Sequence, residues 1–406
     1  MLLKVLRICH YCGTFPYKYD DKKKQFVFSK LGFAVFIHAV VCSALSLSDV
    51  LHNYKTNGGI ISITRFVIIN MIICIEVVMM FSIKSKMDYF NKVLTLYYQD
   101  NTGTDTSLSF YFFIYYGALL ISTLSDFINF WFQFDRLVFI WRLSSLATRI
   151  LVWSVSFQFV AVSIFMRKQF QNMNRQLKEL FQDDFKNPEA KADRLNKFSY
   201  KSNEFYSSYN SPNAYIMAFN ENKNYYTFPE NDHRKEIVFI NICRKYKTLK
   251  ANVKELNQLY SSIILFLTVV YLEAGSASIN GIIKTMALTT VFTKYTFIKL
   301  FYFLFRALRS IALLMFLYQT CSSIEDEVLR SAKIILDSNL KRYGQSFLNL
   351  IVSFLHNQHV DKTSFTILFG HISVNLELSL LFMAGITPLI TICIQTYYYT
   401  KIPGKN

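Results

Sequence analysis

Long apolar runs alternate along this chain with short segments that hold nearly all of its charge, and that spacing predicts helices that cross a lipid bilayer. A helix rises 1.5 Å per residue, so a hydrocarbon core of about 30 Å takes about 20 predominantly apolar residues. Runs of this kind occupy residues 31–51, 60–83, 108–132, 143–166, 260–283 and 377–399. One more lies between Met286 and Leu317, where Lys294, Lys299, Arg306 and Arg309 interrupt it. The expected fold class is therefore an all-α membrane protein with seven transmembrane helices. Residues 347–355 are apolar but too few to span, and are expected as a helix leading toward the last span.

The apolar periodicity continues past the ends of several spans. Phe239, Ile242, Tyr246, Leu249, Val253, Leu256 and Tyr260 recur in alternating steps of three and four, a heptad-like stripe on a helix that runs directly into the fifth span. Met166, Phe170, Met173, Leu177 and Leu180 extend the fourth span in the same way, and Ile324, Val328, Ala332 and Ile335 extend the sixth. Helical extensions packed as an anchor bundle below the membrane are expected. The alternative is amphipathic helices lying on the membrane surface. Residues 201–232 are rich in Ser, Asn and Tyr without a sustained period, and read as a flexible loop.

Composition agrees with a bilayer protein. Only 17% of the 406 residues are charged, against roughly a quarter in soluble domains. The net charge of +17 could suggest nucleic acid, but the basic residues flank the apolar runs, so they are read as setting orientation and no nucleic-acid partner is expected. Lys4, Arg7, Lys18, Lys22, Lys23, Lys24 and Lys30 precede the first span; Lys84, Lys86 and Lys92 follow the second; Arg167, Lys168, Arg234, Lys235, Arg244, Lys245 and Lys247 lie between the fourth and fifth. The opposite side carries Lys55, Lys284, Lys401 and Lys405. The positive-inside rule puts the N-terminus in the cytoplasm and the C-terminus outside, with Tyr397, Tyr398 and Tyr399 as an outer aromatic belt.

The expected layout is a cytoplasmic N-terminus (1–30), helices one to four (31–166) and a cytoplasmic connection (167–259). Helices five and six (260–318), cytoplasmic anchor helices (319–376), a last helix (377–399) and an extracellular tail (400–406) complete it. Lys4 and Arg7 interrupt the apolar run at the start and no small-residue cleavage site follows, so residues 1–16 are not read as a cleavable signal.

No catalytic signature appears: there is no Walker loop, GxSxG, HExxH or nucleotide fingerprint, and no enzyme activity or cofactor is expected. The seven cysteines are scattered and do not suggest a disulfide framework. Cys9-His10-Tyr11-Cys12 has metal-like spacing without a second pair, and His356 and His359 lie three apart beside Asp361, so neither is taken as a metal site.

Polar residues inside spans are more telling, because they face protein or water rather than lipid. Asp126, Asn129, Arg149, Trp153, Glu273 and Tyr295 all fall in the outer halves of their spans on this orientation. Aromatic walls with a few polar groups are what a small-molecule pocket requires. The same residues could instead pair helix to helix, Asp126 with Arg149 for instance.

At the C-terminus, Phe365-Thr-Ile-Leu-Phe-Gly370 leads into Leu376-Glu-Leu-Ser-Leu-Leu-Phe382 and then Gly385-Ile-Thr-Pro-Leu-Ile-Thr-Ile-Cys-Ile-Gln395-Thr396. Aligned on Gln395, this resembles the last span of the insect gustatory receptors and the related insect odorant receptors. Pro388 and Leu389 stand where that family has Thr-Tyr, and Thr396 replaces its Phe. Cys12-Gly-Thr-Phe-Pro16 resembles the family's N-terminal turn, and Leu256-Asn257 a recurrent element at the entry to span five.

The resemblance implies a taste receptor of chemosensory neurons, a multi-pass plasma-membrane protein acting as a ligand-gated non-selective cation channel. It implies a homo- or hetero-tetramer in membrane lipid, opened by a small-molecule tastant, possessing one central pore lined by the seventh spans. Ile392, Gln395 and Thr396 map to the constriction. A bitter-type ligand is weakly suggested by the divergent last span. An odorant-receptor-like channel subunit is the alternative. A G-protein-coupled receptor is disfavoured by the orientation, and a transporter by the lack of internal repeats.

Overall fold

The computed structural model describes residues 2–12, 14–57, 60–99, 117, 136–181, 231–288, 293–338, 340, 343–360, 364–367, 372–375, 377–378, 380–381, 384 and 395. The elements in chain order are α1 (Leu2–Tyr11), β1 (Tyr17–Asp20), β2 (Gln25–Phe28), α2 (Lys30–Asn57), α3 (Ile60–Phe81) and α4 (Ile83–Gln99). There follow α5 (Arg136–Leu180), α6 (Asn231–Leu288), α7 (Lys294–Leu336), α8 (Gln345–Val360), β3 (Thr366–Ile367) and β4 (Ile372–Ser373).

Among the described residues, α5, α6 and α7 each contain a stretch long and apolar enough to cross a membrane. The α3–α4 pair passes the same test jointly but is bent by 70° at its break, and α2 covers the first predicted span. The third predicted span, with Asp126 and Asn129, and the loop over 201–230 lie outside the described residues. So does most of the last span.

The sixth helix starts later than its apolar run. Met286 belongs to α6, and α7 begins at Lys294. Thr293 sets that start as an N-cap, its Oγ1 accepting from the Thr296 amide at 3.3 Å. The two spans approach closely at Gly281, where a Cβ would sit 2.7 Å from the Phe303 ring. Glycine is what lets the backbone come so near.

The chain divides into two compact units. Unit 2, residues 166–253 and 323–364, is built from the predicted stripes. Phe170, Met173, Leu177, Phe239, Ile242, Tyr246, Leu249, Val253, Ile324, Val328 and Ile335 are all buried. The α8 segment that the sequence predicts as a non-spanning helix supplies Phe347, Ile351 and Phe354 to the same core. Phe239 meets Phe347 edge to face at 5.3 Å and Phe354 at 5.7 Å, while Tyr246 meets Phe170 at 5.1 Å. Its buried acid is well provided for: Gln171 Nε2 donates to Glu327 Oε1 at 2.8 Å, and Asn174 Nδ2 to the Glu327 carbonyl at 2.8 Å and to Oε2 at 3.2 Å.

Unit 1 comprises residues 1–165, 254–322 and 365–406. Its N-terminal segment is packed into the core. Leu2, Val5, Leu6 and Cys9 share one face of α1 and are buried, and Gly32 at the start of α2 would place a Cβ 2.6 Å from the His10 ring. The β1–β2 hairpin turns over Asp20, whose Oδ1 accepts from the amides of Lys22 and Lys23 at 3.0 and 3.3 Å. Asn91 of α4 holds β2 with both ends of its amide: Oδ1 accepts from Phe26 N at 2.7 Å, and Nδ2 donates to Phe26 O at 3.3 Å.

Candidate functional site

The predicted pocket residues fall unevenly on the structure. Trp153 on α5 is buried, and the Arg309 guanidinium of α7 lies over its ring, 5.3 Å from the centroid. A guanidinium stacked on an indole gains from the ring quadrupole, and more so away from water. Arg149 is one turn before Trp153 on the same helix, and Tyr295 stands in the first turn of α7. Glu273 is half-buried on α6. The structure thus brings Trp153 together with Arg309, a residue that the sequence offers only as an interruption of the sixth span. Hydroxyl pairs stitch the neighbouring helices. Tyr271 donates to Ser156 Oγ at 3.0 Å, and Thr268 and Tyr318 share a hydrogen bond at 3.0 Å.

Of the predicted constriction residues, Gln395 is helical and exposed, whereas Ile392 and Thr396 lie outside the described residues. The approach to that helix is better defined. Asn375 accepts from the Leu378 amide at 2.9 Å, an N-cap geometry just ahead of helical Glu377 and Leu378. Upstream, β3 pairs antiparallel with β4, Thr366 opposite Ser373 and Ile367 opposite Ile372. Asn257 of α6 clamps this hairpin: its Nδ2 donates to Thr366 Oγ1 at 3.0 Å and its Oδ1 accepts from Thr366 N at 3.1 Å.

Close to Asn257 in sequence, a buried polar relay joins the N-terminal segment to α5 and α6. The Thr14 hydroxyl donates to the Cys9 carbonyl at 3.1 Å and lies 2.5 Å from Ser154 Oγ. Gln158, one turn after Ser154, donates through Nε2 to the Thr14 carbonyl at 2.9 Å. Its Oε1 accepts from Tyr260 OH at 3.1 Å. The Tyr260 ring contacts Phe159 at 5.4 Å, and Phe159 meets Phe365, beside β3, edge to face at 5.4 Å. Lys86 of α4 sits over the other side of this network, its Nζ 4.7 Å from the Tyr260 centroid. Burial pushes the Lys86 ammonium down to about 7.

In the Cys9-His10-Tyr11-Cys12 segment, Cys9 and His10 both engage backbone carbonyls. Cys9 Sγ donates to the Ser154 carbonyl at 3.6 Å, and His10 Nδ1–H donates to the Phe15 carbonyl at 2.9 Å. Burial pushes the Cys9 thiol up to about 12. Among the described residues no three His, Cys, Asp or Glu side chains converge on a metal position. What the arrangement supports chemically is binding and coupling: an aromatic–cationic pair within the spans, and a relay that reaches the strand preceding the last helix.

No curated protein sequence matches this chain. Among solved structures, the chain is similar to the insect olfactory receptor OR5 from Machilis hrabei, with a TM-score of 0.59 at 11% identity, covering 97% of both chains. It is also similar to the same receptor in complex with eugenol, with a TM-score of 0.58 at 10% identity, covering 98% of both. Identity this low speaks for a shared fold, here over the whole length. The sequence itself matches the family described as 7tm Chemosensory receptor over residues 2–400. Spanning helices, full-length fold and family match agree: this chain is a multi-pass membrane protein that belongs to the seven-transmembrane chemosensory receptor family and is not an enzyme.

Proposed function

We propose that this protein is a gustatory receptor: a ligand-gated, non-selective cation channel opened by a small tastant bound in the outer half of the helix bundle. The observation that carries the reading is the likeness over 98% of the chain to a receptor solved with the small phenol eugenol bound. The gustatory assignment rests on the last span, where Gln395 keeps the spacing of the taste-receptor motif. An olfactory role is the second reading, favoured by the identity of that structural relative.

In this proposal Asp126, Asn129, Arg149, Trp153, Glu273 and Tyr295 contribute to the ligand pocket, and the Arg309–Trp153 pair supports it as a cationic and aromatic wall. The N-terminus and unit 2 are cytoplasmic, unit 2 anchors a tetramer, and the C-terminus is outside. Four last helices line one pore at Ile392, Gln395 and Thr396. Apolar side chains close such a pore by dewetting, and a ring of amides is polar without fixing a charge preference. The ligand acts by binding the open state better than the closed one. The Asn257 clamp on β3 supports a route from the spans to the last helix.

The test is recording of cation current from cells expressing this chain, alone and with a co-receptor, under a panel of bitter compounds, sugars and volatile phenols. Tastant-evoked current supports the gustatory reading, and responses confined to volatiles favour the olfactory one. Replacement of Gln395 is expected to alter conductance or resting leak. A C-terminal tag reached only from the cytoplasm would overturn the orientation and the pore assignment together.

A further inference from the structure

We infer that Lys86 anchors a binding site for a single small monovalent anion, of about chloride size, in a part-open cavity of unit 1. The cavity is lined by Tyr17, Phe36, Met79, Lys86 and Gln158, among others, and has room for about one water-sized particle. Lys86 is 4% exposed, and its Nζ has no hydrogen-bond partner among the described residues.

The other polar groups of the wall are already committed. Tyr17 OH donates to the Ile83 carbonyl. Gln158 Nε2 is engaged with Thr14, and its Oε1 with Tyr260. The ammonium therefore holds the uncommitted donors of the cavity, three N–H groups with no acceptor among the described residues. The Tyr260 face stabilises its charge but accepts no conventional hydrogen bond.

No carboxylate lines the space. The acid on α6 that faces this region, Glu255, is held by Lys92 with both oxygens at 2.9 Å from its Nζ. Asp88, two residues further along α4, is outside the lining but its charge reaches Tyr17 of the wall. The neighbouring phenols Tyr17 and Tyr89 are kept neutral by burial. An ammonium removed from water is strongly disfavoured unless a counter-charge joins it or its proton leaves. A halide, the smallest common monovalent anion, supplies that counter-charge with a small outward shift of the part-open wall. Phosphate, carboxylate metabolites and lipid headgroups are too large for this space.

The site is tested on the full-length receptor purified in detergent, by thermal unfolding at constant ionic strength as gluconate is replaced stepwise by chloride or bromide. A saturable rise in Tm of about 2 °C is expected from a bound anion. It should be present at pH 6, shrink by pH 9 as the ammonium loses its proton, and be absent in Lys86→Met. An equal halide response in Lys86→Met, or no response of the wild type at pH 6, overturns the site. Should Lys86→Met not fold, bromide anomalous scattering from wild-type crystals decides: a peak within hydrogen-bond distance of Nζ supports the site, and none at saturating bromide overturns it.

Discussion

The two units differ in how completely they satisfy their buried polar groups. In unit 2 the core is a cluster of aromatic rings, a buried acid, Glu327, receives hydrogen bonds on both oxygens, and among the described residues only Arg167 Nε and Asn174 Oδ1 are buried without a partner. In unit 1 the interior holds Lys86 Nζ, Tyr89 OH and Glu76 Oε2, none with a hydrogen-bond partner among the described residues. It also holds a polar relay running from Thr14 to Tyr260. A close-packed aromatic core favours one arrangement strongly, because any displacement opens voids in it. Incompletely satisfied polar groups leave competing arrangements nearer in energy. The contrast assigns rigidity to unit 2 and responsiveness to unit 1, and it can be broken in several places.

The largest effect is expected in unit 2. Phe239→Ala removes the ring that joins Phe181, Phe347 and Phe354, and should cost about 3–5 kcal/mol. Thermal unfolding of detergent-solubilised protein measures it, and a loss below about 1 kcal/mol would deny the aromatic core its role. Next come two polar deletions. Glu327→Leu strands the Gln171 donor and removes one of the two acceptors of Asn174 Nδ2, and Gln158→Leu strands Thr14 O and Tyr260 OH. Each should cost about 1–3 kcal/mol. The readout that separates them is functional: Gln158→Leu should shift the ligand dose–response, whereas Glu327→Leu should lower only the amount of folded receptor. Equal shifts in both would erase the distinction.

Asn257→Ala comes third, at about 1–2 kcal/mol for two partly buried hydrogen bonds. Its resting current should change more than its stability, and an unchanged current would remove the clamp from any gating route. The last effect is one of pH. The folded Lys86 releases its proton near 7, against an ordinary value of 10.5. Over that window the unfolded chain binds more protons, so stability rises with pH from about 7 toward 10.5. Lys86→Met should flatten this slope in halide-free buffer, as read from Tm across the pH range.

Much of unit 2 was legible in the sequence because its helices are long and periodic. The stripe from Phe239 to Tyr260 is buried at every apolar position named for it. The N-terminal segment carried a comparable signal that was easy to pass over: Leu2, Val5, Leu6 and Cys9 stand at i, i+3, i+4 and i+7, one helical face only ten residues long. The β1–β2 hairpin was similarly announced, by Tyr17, Tyr19, Phe26 and Phe28 alternating on either side of a polar turn. An all-α expectation hides both hairpins.

Other features had no local signal. Lys86 reads as an orientation marker in a charged connection, and only the 70° break after Phe81 turns it inward. Arg309 reads as a defect in a span until Trp153 is seen beneath it. Asn257 and Thr366 are 109 positions apart, so no periodicity could pair them.

The Asn257 clamp has a consequence for rotation. A helix turns by about 100° with each residue. Between the Thr366 bond and the Asn375 cap, the chain is held by the β3–β4 ladder and by Val374 N donating to Phe365 O at 2.7 Å. The azimuth at which the last helix begins is therefore set before its first turn. One residue added between Val374 and Glu377 would leave every contact of the clamp intact and yet swing the first turn of the last helix, at Glu377 and Leu378, through more than a quarter of a circle. In this receptor the direction in which that turn points is decided by how chain length is counted from Thr366.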